Sequence, residues 1–224
     1  MIKRIYLIFF IISLIFWSCQ KKPVQLPVID IAGLSEIQNH SSIWIFLETK
    51  GGETRAKLNK NNKILNTHWI FNIDRRLTMN QVIPILIKMQ ENRNKDSMHK
   101  KEGMMNYFSY ADSANNRISL TPFPQTSFLM DQKAVSEFKK ITEEPCMVIL
   151  EIWGDQVKIN NEVLALDDII STLANENLCD PGEKVKILLT YDDKTLYKDY
   201  LTTKTFLNVN EISCAIGEYV YTVK

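Results

Sequence analysis

Glycine and proline are scarce, seven of each in 224 residues. That excludes a collagen-like or low-complexity chain, and no glycine-rich loop is present to cradle a phosphate. Histidine occurs three times, at His40, His68 and His99, too far apart for metal-ligand spacing. Four cysteines include no Cys-x-x-Cys pair, so neither a zinc clip nor a dithiol redox motif is indicated. No Gly-x-Ser-x-Gly and no His-Glu-x-x-His occurs. Charges recur along residues 21–224, which excludes a multi-span membrane protein, and the formal net charge of +1 selects no partner. With 45% hydrophobic residues the chain has ample material for a core and is not of disordered composition.

The longest apolar run is short. Lys3 and Arg4 precede sixteen uncharged residues, Ile5 to Gln20. A membrane-crossing helix needs about 20 apolar residues. A basic start, a short apolar run and a small residue before the cut describe a signal peptide, residues 1–18. Phe16-Trp17-Ser18-Cys19 resembles the lipobox of bacterial lipoproteins, although Phe16 stands where Leu is usual and Trp17 is bulky. The resemblance implies diacylation of Cys19 and a lipid anchor stable enough to hold the chain at a membrane. The expected location is the cell envelope, on the periplasmic side, with an uncleaved N-terminal anchor as the alternative.

Behind the cut, charge is divided. From Cys146 to Lys224 there are seven Lys against thirteen Asp or Glu; from Gln20 to Pro145 there are eighteen bases against thirteen acids. Twelve of those bases lie between Lys50 and Lys101. They form either a solvated face or a surface drawn to an anionic polymer such as peptidoglycan. In an oxidising compartment two of Cys146, Cys179 and Cys214 could pair, and spacing does not say which.

Residues 19–41, with two prolines, read as a lipidated cysteine and tether. Residues 42–145 form a first lobe: strand Ser42–Thr49, a Gly51-Gly52 turn, a return strand, strand Thr67–Asp74, then a helix over Leu77–Gln90. Thr78 is the candidate N-cap of that helix, and Pro84 must lie near its first turn or kink it. Arg117–Leu120 reads as a strand and Asp131–Glu143 as an amphipathic helix. Residues 146–224 form a second lobe: strands Met147–Trp153 and Gln156–Ile159, a helix with apolar stripe Leu166, Ile169, Ile170, Leu173, strand Lys184–Thr190, a helix from near Thr195, and a last strand in Asn210–Val223. The fold class expected is α+β, two small α/β sandwich lobes. The second lobe has β-β-α-β-α-β order and a mixed sheet with helices on one face. Trp44, Trp69 and Trp153 are expected in the core. Asp96-Ser97 and Asp112-Ser113 resemble bacterial O-glycosylation acceptors.

Several pieces of the second half occur in a familiar order. Val157-Lys158-Ile159-Asn160-Asn161-Glu162-Val163 is followed by Leu166-Asp167-Asp168-Ile169, then by Val185-Lys186-Ile187-Leu188-Leu189-Thr190-Tyr191-Asp192, with Tyr197 five positions on. Together they resemble the periplasmic domain of the ExbD/TolR family of biopolymer-transport proteins. The resemblance covers roughly a third of the chain and marks Asn160, Asp167, Asp192 and Tyr197 as family-motif positions. Trp69 to Asp74 with Leu77 and Met79 resembles the same strand-Asp-helix segment, which would make the chain a duplication with Asp74 matching Asp192. The family's ion-coupled work needs a carboxylate inside a transmembrane helix. Ile5 to Trp17 contains none.

The resemblance therefore implies a binding or scaffold module, not an enzyme, with no cofactor and no metal. Its partners would be the membrane through the lipid, peptidoglycan or a protein adding a strand to Met147–Trp153 or Asn210–Val223, and another copy as a homodimer. Nucleic acid is not expected. The alternatives are a self-associating structural lipoprotein and, less favoured, an enzyme using Asp192-Asp193 or Glu143-Glu144, although neighbours on a strand face opposite ways.

Overall fold

The computed structural model of the chain describes residues 23–59, 64–94, 103–130, 140, 146–175 and 185–222. The expected signal peptide, Cys19, Cys179, His99, Asp96-Ser97, Glu143-Glu144 and nearly all of the Asp131–Glu143 helix lie outside these residues. The fold is α+β with two mixed sheets.

In the first sheet, β2 (His40–Lys50) turns back through Gly51-Gly52 into β3 (Glu53–Leu58). Both glycines have positive φ, the conformation a tight hairpin turn demands. β4 (His68–Ile73) pairs parallel with β2, and β5 (Asn106–Asp112) parallel with β4. Helix α1 (Met79–Asn94) makes the crossover between them. In the second sheet, β8 (Met147–Trp153) and β9 (Gln156–Ile159) form the hairpin. β11 (Lys186–Asp192) pairs parallel with β8, helix α3 (Tyr197–Val209) crosses over, and β13 (Gly217–Tyr221) pairs parallel with β11. The strand orders β3-β2-β4-β5 and β9-β8-β11-β13 are therefore the same unit used twice.

Each copy carries its own additions. β6 (Arg117–Phe123) lines β5 antiparallel along its whole length. The second copy inserts β10 (Glu162–Leu164), a 3-10 turn at Leu166–Asp168 and α2 (Ile169–Asn175) between its hairpin and β11, with β12 (Ser213–Cys214) beside β11. β7 (Ser127–Met130) precedes the expected lobe boundary at Pro145, yet pairs with β13 in the second sheet.

Three expectations are corrected. The tether is laid along the first sheet from residue 23: β1 (Val28–Ile29) pairs with β5, Leu34 bridges Leu120, and Ile29 is buried. The apolar side chains of Ile29 and Ile37 gain more against the sheet than in water. The strand Met147–Trp153 and the β13 part of Asn210–Val223 are interior, because β8 lies between β9 and β11, and β13 between β11 and β7. Trp69 is in the core, but Trp153 is 51% exposed, its ring covered on one face by the Lys158 ammonium at 3.0 Å.

One apolar core spans both sheets. Ile43, Phe71 and Phe108 belong to the same cluster as Leu150, Leu189 and Val220. Phe108 joins the halves most directly. Its ring stacks on Phe123 and meets Tyr197 and Tyr200 of α3 edge-on, at 5.7 and 6.3 Å. α3 touches β6 of the first sheet and β8 and β12 of the second, so it is buried around most of its circumference.

Candidate functional site

The residues that could carry function gather at the seam between the two units. Each central strand ends in an aspartate followed by a tight turn. Asp74 Oδ1 accepts the Arg76 N–H at 3.1 Å, and Asp192 Oδ1 accepts the Lys194 N–H at 2.7 Å. The backbone repeats the same turn, Leu77 N to Asp74 O and Thr195 N to Asp192 O. The turns then meet. Met79 N donates to Thr195 O and Tyr197 N donates to Leu77 O, both at 2.8 Å, about the antiparallel bridge Thr78–Leu196. The first N–H groups of a helix have no partner inside the helix. Here each helix start is capped by the other copy's turn, and Asn80 N adds a bond to Asp193 O. Thr78 N also donates to Gln81 Oε1 at 3.2 Å, half of a capping box.

Asp74 is 1% exposed. Burial alone would raise its carboxyl, but bonds from the Arg76 side chain and backbone and from Gln25 N outweigh that and hold it below the usual range. Beside the seam is a cavity of about 190 Å3 lined by Arg75, Asp155, Lys198, Asp199 and Thr202 among others. Burial pushes the Asp199 carboxyl up; Lys198, at 2.7 Å, pulls it back, and Asp155 adds to the rise. Two acids and two bases make this a polar notch of balanced charge.

A second cluster lies under α3. Glu218 is fully buried and accepts from Lys204 Nζ at 2.9 Å, Tyr191 Oη at 3.0 Å and Tyr200 Oη at 3.3 Å. Burial lowers the affinity of Lys204 for its proton, but the Glu218 carboxylate more than restores it, so the ammonium is held above its usual pKa. Both tyrosines are pushed far up, by burial first and then by Glu218. These groups tie α3 to β11 and β13, and none of them lines the seam cavity. Cys214 is a free thiol, pushed up by burial, which disfavours the thiolate needed for nucleophilic work. Cys146 is disulfide-bonded.

Of the family-motif positions, Asp192 and Tyr197 come together at the seam, with Tyr197 wholly buried in the aromatic cluster. Asn160 sits at the β9–β10 turn with φ of 52°, and Asp167 in the 3-10 turn; neither lines a cavity described here. Asp112, beside the expected acceptor Ser113, is buried and braces the β5–β6 turn through Asn115 and Ser119. The basic stretch is partly neutralised: Arg55 and Lys57 both pair with Glu48 and Arg76 pairs with Asp74, while Arg93 keeps its charge and stacks on Trp69 at 3.9 Å. Glu218, Asp199 and Arg93 escaped the sequence reading because a charged residue within an otherwise apolar or polar run carries no signal of its burial. Lys204, on the apolar face of its helix, carried a faint one.

Among the described residues no group of three His, Cys, Asp or Glu is placed to hold a metal, and no helix is long and apolar enough to cross a membrane. No family model, no curated protein and no solved structure matches the chain.

Proposed function

We propose that the chain is a lipid-anchored module on the periplasmic side of a bacterial membrane that works by binding a protein partner, not by catalysis. The observation that carries this reading is the paired repeat. Two copies of a strand-Asp-turn-helix unit cap each other's helices, and the buried Glu218, Lys204, Tyr191 and Tyr200 are used to join elements. The ExbD/TolR-like domain that the second half resembles dimerises and contacts partners, and here one chain supplies both halves. The absence of Asp and Glu from Ile5–Trp17 argues against an ion-coupled role.

A protein partner is favoured over the anionic wall polymer because three of the twelve bases of the Lys50–Lys101 stretch, Arg55, Lys57 and Arg76, are already paired with carboxylates. β3 ends the first sheet on one side, and an extended peptide adding to such an edge strand is a recognised mode of binding. Palmitate labelling lost in Cys19→Ala tests the anchor. A photo-crosslinking residue at Thr54 or Lys57 of β3, in the intact envelope, tests the partner. Crosslinks to a distinct protein support the reading; crosslinks only to peptidoglycan or only to another copy overturn it in favour of wall binding or self-association.

A further inference from the structure

A second cavity, of about 200 Å3, opens at the end of α1 between Arg93, Asn106 and the segment Phe123–Gln125. Its chemistry is unlike that of the seam. Arg93 lays its guanidinium over the Trp69 ring and donates from Nη2 to Thr67 O at 3.1 Å. Among the described residues no carboxylate contacts it, and its Nε has no acceptor. Burial alone pulls its pKa down to about 10. A cation taken from water is ordinarily paired. Across the same cavity Asn106, 8% exposed, has an Oδ1 without a donor. Two unsatisfied groups of opposite kind on one cavity call for an explanation. The remaining wall, with Met105, Phe123 and Pro124, is largely apolar.

The walls are also held in place. The Trp69 indole donates to Ile64 O at 2.8 Å. Met105 N donates to His68 Nδ1 at 3.1 Å, and Trp69 N to Met105 O at 3.0 Å. Gln90 bonds both N–H and C=O of Thr126. A planar guanidinium fixed on a ring matches the two oxygens of a carboxylate.

We infer that this cavity binds a small monocarboxylate with an apolar side chain, about the size of one amino-acid residue. The carboxylate pairs with the Arg93 guanidinium, the polar part of the ligand lies beside Asn106, and the side chain lies against Met105 and Phe123. This site stands whether or not the anchoring and partner reading above holds.

N-acetyl-leucine is the probe and N-acetyl-leucinamide its uncharged control, titrated into the full chain in detergent micelles by calorimetry. Saturable binding of the acid in about the millimolar range is expected, with the amide at least tenfold weaker. Arg93→Lys, which keeps charge but loses the planar fork, weakens the acid several-fold. Met105→Trp at a 45% exposed position blocks the cavity without touching Arg93, and abolishes binding. Equal binding of acid and amide, no saturable binding, binding that survives Met105→Trp, or equal displacement by inorganic phosphate would each overturn the inference.

Discussion

Gln90 of α1 and Asn208 of α3 occupy matching positions in the two copies of the unit, and both reach the same short piece of chain. Gln90 bonds Thr126 N and O, at 2.8 and 3.0 Å, and Asn208 Nδ2 bonds Thr121 Oγ1 and Pro122 O, at 2.9 and 3.2 Å. That piece is where the chain leaves β6 of the first sheet for β7 of the second. Each helix thus uses an amide to grip the crossing point between sheets.

Gln90→Ala leaves the Thr126 N–H and C=O unpaired in a buried site. The expected loss is about 1–3 kcal/mol of unfolding free energy, read from urea titration. Asn208→Ala, which removes a donor alone where Gln90→Ala removes both a donor and an acceptor, costs less. An unchanged midpoint in Gln90→Ala would show that water replaces the amide.

Phe108 is the ring through which both sheets share a core. Phe108→Ala is expected to cost about 3–5 kcal/mol and to leave unfolding as one transition, because each unit's helix is capped by the other. Fluorescence of Trp69 in the first sheet and far-ultraviolet circular dichroism should report the same midpoint. Two separated transitions would mean that the units fold independently.

Lys204 is held above the ordinary lysine value of 10.5 by Glu218. Its folded pKa is raised, so the stability it contributes is present in full below the unfolded pKa and lost as pH rises through the folded one. The urea midpoint is expected to fall above pH of about 10.5. Lys204→Met strands a buried carboxylate and costs about 3–5 kcal/mol near neutrality; adding Glu218→Gln restores a large part. A double variant no better than Lys204→Met would show that the Tyr191 and Tyr200 bonds, not the ion pair, hold the site.

Glu48 lies between Lys57 and Arg55 on the hairpin, and their bonds bring its carboxyl from 4.5 down to about 2. The stability this adds is present above the unfolded pKa and lost as pH falls through the folded value. A carboxyl-shift titration by NMR should show a midpoint near 2 that climbs in about 1 M salt, where screening is short-ranged. A midpoint near 4.5 in low salt would mean that the three side chains do not associate in solution.

Much of the fold was legible from residue order. The Gly51-Gly52 and Gly154-Asp155 turns, the alternating β-rich runs and the apolar stripes of α1 and α3 mark hairpins and helices because these depend on local backbone preference and period. The strand-Asp-helix echo at Trp69–Met79 was visible too, since Asp74 and Asp192 each serve their own turn, two residues away. What is decided at long range was not legible. Nothing in Pro23–Asn39 distinguishes a tether from a segment laid on a sheet, because composition does not reveal what a short apolar run will meet. The same holds for strand position: β8 and β13 have edge-compatible sequences and become interior through the partners β9, β11 and β7. Residue order marks the two hairpins, the central strands β4 and β11 and the helices after them, while β1, β5, β7 and β10 carry no comparable local mark. Packing at long range buries Lys204 against Glu218, leaves Arg93 beside a cavity with no carboxylate partner among the described residues, and lets each unit cap the other's helix. A side chain's charge is written in the sequence, but its burial and its partner depend on groups far away in the chain.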